Sequence, residues 1–360
     1  MKKNPKLIIT VLTITLIIAS ISCQLGGSGS TPEESVLAAV ETPVTSLDDP
    51  PPTSQAVEPQ EPTPLPPTQE PDSSVESEVE EPPTQEPEPA KEEPQSCEED
   101  VCVSSGTFLL ARPIGSTGRN TIDPSYRYGD YRQAALLTHR GVDFLNSTGT
   151  PVLAAADGKV VVASDDLNIP YGPRKNYYGN LIILGHDLPG YSEPIFTLYA
   201  HLSEVMVEVG DSVSSGDEIG LVGMSGVVPG STLHFEVRVG ENSYQNVRNP
   251  ELWLVLLSDQ NDQTLGSLAG RVLDEQGNYQ QVPNIVIEQL AGPGLPAIDQ
   301  FYLKTYEKKE LLGQSPWNES FALSDLPPGG YQITFMLNGL QQQEVEVESG
   351  KLTLVTFEIK

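Results

Sequence analysis

Residues 31–100 restrict the fold more than any other feature: 16 of the 32 prolines lie there, with 20 acidic residues and a single basic one, Lys91. A segment this polar and Pro-rich buries too little apolar surface to offset its chain entropy, so no packed domain is expected within it. The stretch carries a net charge of -19 out of -30 for the whole chain, which leaves the remainder only mildly acidic. An excess of 50 acidic over 20 basic residues argues against nucleic acid as a partner, because phosphate binding needs a positive surface. Pro-Thr-Glu-Pro spacing favours extended polyproline-II segments, stiffened by like charges. Residues 24–103 therefore read as a disordered Pro/Glu/Thr-rich linker, a tether that reaches on the order of 200 Å at about 3.1 Å per residue. The rest of the 360 residues suffices for two domains with proper cores.

The N-terminus gives such a tether a purpose. Lys2, Lys3 and Lys6 precede an apolar run from Leu7 to Ala19, too short to span a bilayer and suited to a secretory signal peptide over residues 1–23. It ends in Ser20-Ile21-Ser22-Cys23, which resembles a bacterial lipobox and makes Cys23 the residue expected to be lipidated. Ser20 departs from the aliphatic residue usual there, and a plain cleaved signal is the alternative. Anchoring at Cys23 implies a membrane-tethered protein facing the cell wall or periplasm. Cys97 and Cys102 flank four residues, a spacing that closes a small disulfide loop in an oxidising compartment. A two-thiolate metal site is the weaker reading, since no His or third Cys lies nearby.

From 104 to 258 short β-branched runs alternate with Gly, Asp and Asn turns, and few helical periods occur. Val152 to Ala155 leads through Asp157-Gly158 into Val160 to Val162, a hairpin signal, and Leu181 to Leu184 reads as a buried strand. An all-β, compact antiparallel domain is expected. All four histidines of the chain, His139, His186, His201 and His234, fall inside it. A histidine four residues from a carboxylate, completed by one distant histidine, suits a catalytic zinc whose fourth position stays open to water. Zinc lowers the pKa of that water towards about 7 and polarises the carbonyl it attacks.

These residues carry a family resemblance. His139-Arg140-Gly141-Val142-Asp143-Phe144, Gly149 to Val152 with Ala155 to Val160, Leu198-Tyr199-Ala200-His201-Leu202, Val207 to Gly223, and Leu233-His234-Phe235-Glu236 occur in that order. Together they resemble the lysostaphin- or LytM-type zinc endopeptidases that cut the peptide part of peptidoglycan. The resemblance implies one zinc ion held by His139, Asp143 and His234, with His201 as the catalytic histidine. It also implies peptidoglycan peptides as substrate.

One position departs from the family. Its final His-x-His reads Thr232-Leu233-His234 here, and residues two apart on a strand share a face, so Thr232 stands where a second catalytic histidine is usual. Threonine cannot act as a base near pH 7. Two readings follow: a zinc endopeptidase working with His201, or a catalytically impaired peptidoglycan-binding scaffold or hydrolase activator. His186 is read as structural or exposed. A biotinyl- or lipoyl-type carrier is set aside, because no lysine occupies the tip of the hairpin in Val213 to Gly220. The loop Ser164 to Asn180, with Tyr171, Arg174, Lys175, Tyr177 and Tyr178, reads either as one wall of a peptide groove or as a surface insertion.

Residues 264–360 show a second series of short strands, expected to form an antiparallel sandwich. Leu268 to Gly277 and Leu326-Pro327-Pro328-Gly329-Gly330-Tyr331 resemble the carboxypeptidase regulatory-like, prealbumin-type β-sandwich. The resemblance implies a fold and no activity. The segment has no His or Cys and hence no obvious metal site. A spacer and a carbohydrate- or protein-binding module both remain open for it.

Overall fold

The computed structural model describes residues 100–130, 137–292, 295–307 and 311–360. Cys23, Cys97 and nearly all of the linker lie outside them. Cys102 is disulfide-bonded. The described chain is almost wholly β. The strands are β1 (Val101–Ser104), β2 (Val142–Leu145), β3 (Pro151–Leu153), β4 (Gly158–Asp165), β5 (Asn180–His186), β6 (Ile195–Leu202), β7 (Glu204–Val205), β8 (Ser212–Val213), β9 (Glu218–Leu221), β10 (Thr232–Val239) and β11 (Val247–Arg248). After them come β12 (Gly266–Asp274), β13 (Ile285–Leu290), β14 (Ala297–Leu303), β15 (Phe321–Leu326), β16 (Gly329–Met336), β17 (Leu340–Val347) and β18 (Leu352–Ile359).

A seven-stranded sheet ordered β11-β10-β6-β5-β4-β8, with β2 also paired to β10, forms the centre of the first half. A small sheet, β3-β9-β7, packs beside it. The large sheet is buried on both faces, which explains the unbroken apolar runs of its central strands. Leu233, Phe235, Val237 and Val239 of β10, with Tyr199 and Ile182, point into one core. Leu198, Ala200, Leu181, Ile183 and Val162 form a smaller cluster with Tyr178 on the opposite face. Every strand pair in this half is antiparallel.

The second half consists of two four-stranded sheets, β1-β18-β12-β15 and β14-β13-β16-β17, which share a core containing Leu268, Ile287, Phe321, Ile333, Val347 and Phe357. One pair, β12 with β18, is parallel. Residues 101–103, which composition places in the linker, form the edge strand β1 against β18. The physical reason is local: Val-Cys-Val-Ser can alternate as a strand, and Val101 packs on the second core, a pattern too short to show against 70 polar residues.

The β1-β18-β12-β15 sheet buries both faces. Ala269, Ala322, Leu352 and Leu354 turn away from the second core and join the first, next to Leu252, Trp253 and Leu254. Polar contacts close the same seam. Arg112 Nη2 meets both carboxylate oxygens of Asp325 at 2.7 and 2.8 Å while its Nε donates to the Val255 carbonyl. Glu251 is fully buried, and its Oε2 accepts from Arg127, from the Ser324 N–H and from the Ser324 hydroxyl. Removing one partner of such a buried pair costs about 3–5 kcal/mol, because the other charge is left uncompensated.

Glu319 is a second buried carboxyl near the seam, held by the Gln314 N–H at 2.7 Å and the Tyr306 hydroxyl at 3.4 Å. Burial pushes its pKa up from 4.5 to about 7. The folded state thus keeps the proton that the unfolded chain releases above pH 4.5, and stability falls as pH rises from there to about 7. Urea unfolding at pH 5 and pH 8 should show Glu319→Gln gaining about 2–3 kcal/mol on the native chain across that interval. An equal difference at both pH values would contradict the raised pKa.

Candidate metal centre

Strand β10 presents Thr232, His234, Glu236 and Arg238 on the face opposite Phe235, and all four are buried. Pairing with β2 sets His234 directly opposite Asp143. The chain from 139 to 143 passes close over this strand: a Cβ on Gly141 would lie 2.5 Å from the Phe235 carbonyl and 2.7 Å from the His234 ring. Only glycine allows that approach, which brings His139 to Asp143 and His234.

The ligand atoms converge. His234 Nδ1 lies 2.9 Å from Asp143 Oδ1, His139 Nε2 lies 3.3 Å from the same oxygen, and the two imidazole nitrogens are 3.1 Å apart. Both tautomers are set by groups that can only accept. His139 Nδ1 faces the Arg127 carbonyl at 3.2 Å, so the proton sits there and Nε2 keeps its lone pair. His234 Nε2 donates to Glu236 Oε1 at 3.2 Å, which turns Nδ1 towards Asp143, where it takes either a proton or a metal ion. Two imidazole lone pairs and a carboxylate aimed at one point suit a divalent cation such as zinc. Burial alone would raise the pKa of Asp143, but His139 and His234 outweigh it and hold the carboxyl far below its usual range. Burial likewise opposes charge on His234, yet hydrogen bonds to Asp143 and Glu236 raise it to about 9. The pocket stabilises positive charge where the three side chains meet.

Behind these three side chains lies a buried polar network that the motifs do not reveal. Tyr178 donates to Glu236 Oε1, and Arg238 Nε donates to Glu236 Oε2 at 2.9 Å. Burial would raise the pKa of Glu236, but Arg238 overrides it and brings it down to about 2. An ionised Glu236 fixes the His234 ring in the way outer-shell carboxylates orient metal-bound histidines. Polar residues at every second position of an otherwise apolar strand are the sequence signal for this network. Tyr178 belongs to the loop that the sequence left open between groove wall and insertion. Asp166 is buried at its base and accepts from the N–H groups of Tyr177, Tyr178 and Gly179. Tyr178 is wholly buried beneath the site, whereas Arg174 and Lys175 are exposed. Tyr126 stacks on His139 with ring centroids 4.0 Å apart.

His201 has φ +64°, a conformation uncommon outside glycine, at a bulge where β6 gains one residue on β5 between the Tyr199–Ile182 and Leu202–Asn180 pairs. The bulge directs its ring towards His234, 5.7 Å away between centroids. Its Nδ1 donates to the Ser225 carbonyl at 2.9 Å, so Nε2 is the basic nitrogen. Burial lowers its pKa to about 4 and keeps it neutral at pH 7. Thr232 stands on the site face, but its hydroxyl donates to the Phe144 carbonyl at 3.1 Å and is thereby committed to the backbone. His186 lies elsewhere, buried between the Asp157 carbonyl and the Thr197 hydroxyl, so it is structural and not exposed. A Glu236→Gln variant should bind zinc about 10- to 100-fold more weakly in competition with a chromophoric chelator. Unchanged affinity would remove the network from any part in holding His234.

Residues 137–247 match the family model described as Peptidase family M23. The chain is 39% identical over 101 residues to the peptidoglycan DD-endopeptidase ShyA of Vibrio cholerae, an overlap covering 28% of this chain and 20% of that protein. It is 37% identical over 101 residues to the DD-carboxypeptidase/endopeptidase Mpg of Neisseria meningitidis, again 28% of this chain and 20% of the relative. The catalytic domain of lysostaphin from Staphylococcus simulans is 35% identical in sequence and aligns over 35% of this chain and 86% of that one, with a TM-score of 0.30. The chain thus spans about a fifth of the length of these two curated relatives. Residues 137–247 of this chain form a peptidase M23 domain.

Proposed function

We propose that the chain is a zinc metalloendopeptidase that cleaves peptide bonds of bacterial peptidoglycan. The observation that carries this reading is the convergence of His139 Nε2, Asp143 Oδ1 and His234 Nδ1 beside His201. The peptidoglycan endopeptidases among its relatives supply the substrate class. Zinc held by His139, Asp143 and His234 would provide a Lewis acid and an activated water.

The chain's own residues account for the rest. Glu236, charged because Arg238 is beside it, keeps the His234 proton on Nε2. The Arg127 carbonyl does the same for His139 through Nδ1. His201, neutral and anchored at Ser225, offers Nε2 to accept the proton of the nucleophile and return it to the leaving amine. Thr232 contributes no base, so His201 carries the proton transfers alone. The signal-like N-terminus and Cys23 support an exported, lipid-anchored protein facing the wall or periplasm, with the linker giving reach.

Release of soluble peptides from purified peptidoglycan by the zinc-loaded chain tests the reading. His201→Ala should lower the rate about 100- to 10,000-fold, and Thr232→His should raise it. Release by Thr232→His but none by the parent would establish the catalytically impaired scaffold instead.

A further inference from the structure

We infer that the cavity at the seam between the peptidase half and the C-terminal sheets is a saccharide-binding site. Its volume is about 950 Å³, near the upper end of the ~300–1,000 Å³ typical of small-molecule sites, so it can hold more than one sugar ring. Both halves line it: Tyr191 and Arg248 from the first, Tyr279, Tyr306, Gln314 and Glu319 from the second.

The wall chemistry selects the ligand class. Three tyrosines line the cavity, and each joins a hydroxyl to an aromatic ring, the group that packs on the C–H side of a pyranose. The Gln281 amide adds donor and acceptor together, the pairing that hydroxyl and acetamido groups need, while Gln280 and Asn318, whose amide nitrogens donate to Asp274, Asn278 and Pro316, add carbonyl oxygens. Three carboxyls, Glu193, Glu307 and Glu319, against one arginine disfavour an anion. Ammonium ligands fit less well, because both Glu319 oxygens already accept hydrogen bonds, from Gln314 and Tyr306, and the other two carboxyls are exposed. A neutral, hydroxyl-rich ligand remains.

The cavity and the metal centre share a wall. Tyr306 packs edge-on against Tyr128 with centroids 5.0 Å apart, and a Cβ on Gly129 would lie 3.1 Å from the Tyr306 ring. The same segment holds His139: the Gly129 N–H donates to the His139 carbonyl at 2.9 Å, and the His139 N–H donates to the Asp130 carbonyl at 2.7 Å. A glycan segment bound at the seam would therefore lie one layer of residues from the site where its peptide is cut. Assigning that glycan to peptidoglycan rests on the function proposed above; the saccharide chemistry of the cavity does not.

Calorimetric titration of the full chain with chitotetraose should show saturable binding with a Kd below about 1 mM. Tyr279→Ala and the surface change Gln281→Ala should each weaken it at least about 10-fold, while His201→Ala leaves it unchanged. No binding at about 10 mM sugar, binding untouched by both cavity variants, or binding of tetralysine in place of the sugar would overturn the inference. Peptide release without chitotetraose binding would overturn the cavity assignment alone. Chitotetraose binding without peptide release would count only against the peptidase reading.

Discussion

The pairing of β2 with β10 places Asp143 opposite His234, and the candidate metal centre depends on that register. A slip of one residue would turn His234 into the core and Phe235 into the site, because strand side chains alternate with a period of two. The register is held from the other side by Leu233, Phe235, Val237 and Val239, which fill the main core. One strand thus ties hydrophobic burial to ligand placement, and chemistry on one face is fixed by packing on the other.

The same strand explains why the site tolerates so many buried polar groups. His234, Glu236 and Arg238 form a chain in which each charge meets its opposite, and Tyr178 completes the carboxylate's hydrogen bonds. A partly satisfied network would be costly at this depth; a fully satisfied one is rigid. Asp166 extends that rigidity outward by tying down the loop that carries Tyr178. The strained His201 backbone is supported in turn, since its N–H donates to the Tyr178 carbonyl.

The C-terminal sheets do not hang from the peptidase half by a thread. A sheet buried on both faces, with the Glu251 and Arg112 clusters beside it, joins the two. Their seam contributes Tyr306 and Leu311 to the support behind Gly129, so the second half touches the segment that orients His139.

The sequence by itself determined the residue types and their strand periods: four histidines in one stretch, a His-x-x-x-Asp spacing, and Thr232 in step with His234. Glu236 and Arg238 were visible in the same alternation. Their role was not, because it depends on Tyr178, some sixty residues away in the chain. Residues 101–103 could not be separated from the linker by composition, since their partner is β18 at the other end of the chain. Tertiary structure alone decided which nitrogen of His139, His201 and His234 turns towards the site, that the Thr232 hydroxyl is committed to Phe144, and that a cavity opens at the seam. The reason is physical: backbone carbonyls such as those of Arg127, Ser225 and Phe144 set these outcomes. Every residue carries the same carbonyl, so only the fold determines which ones face the site.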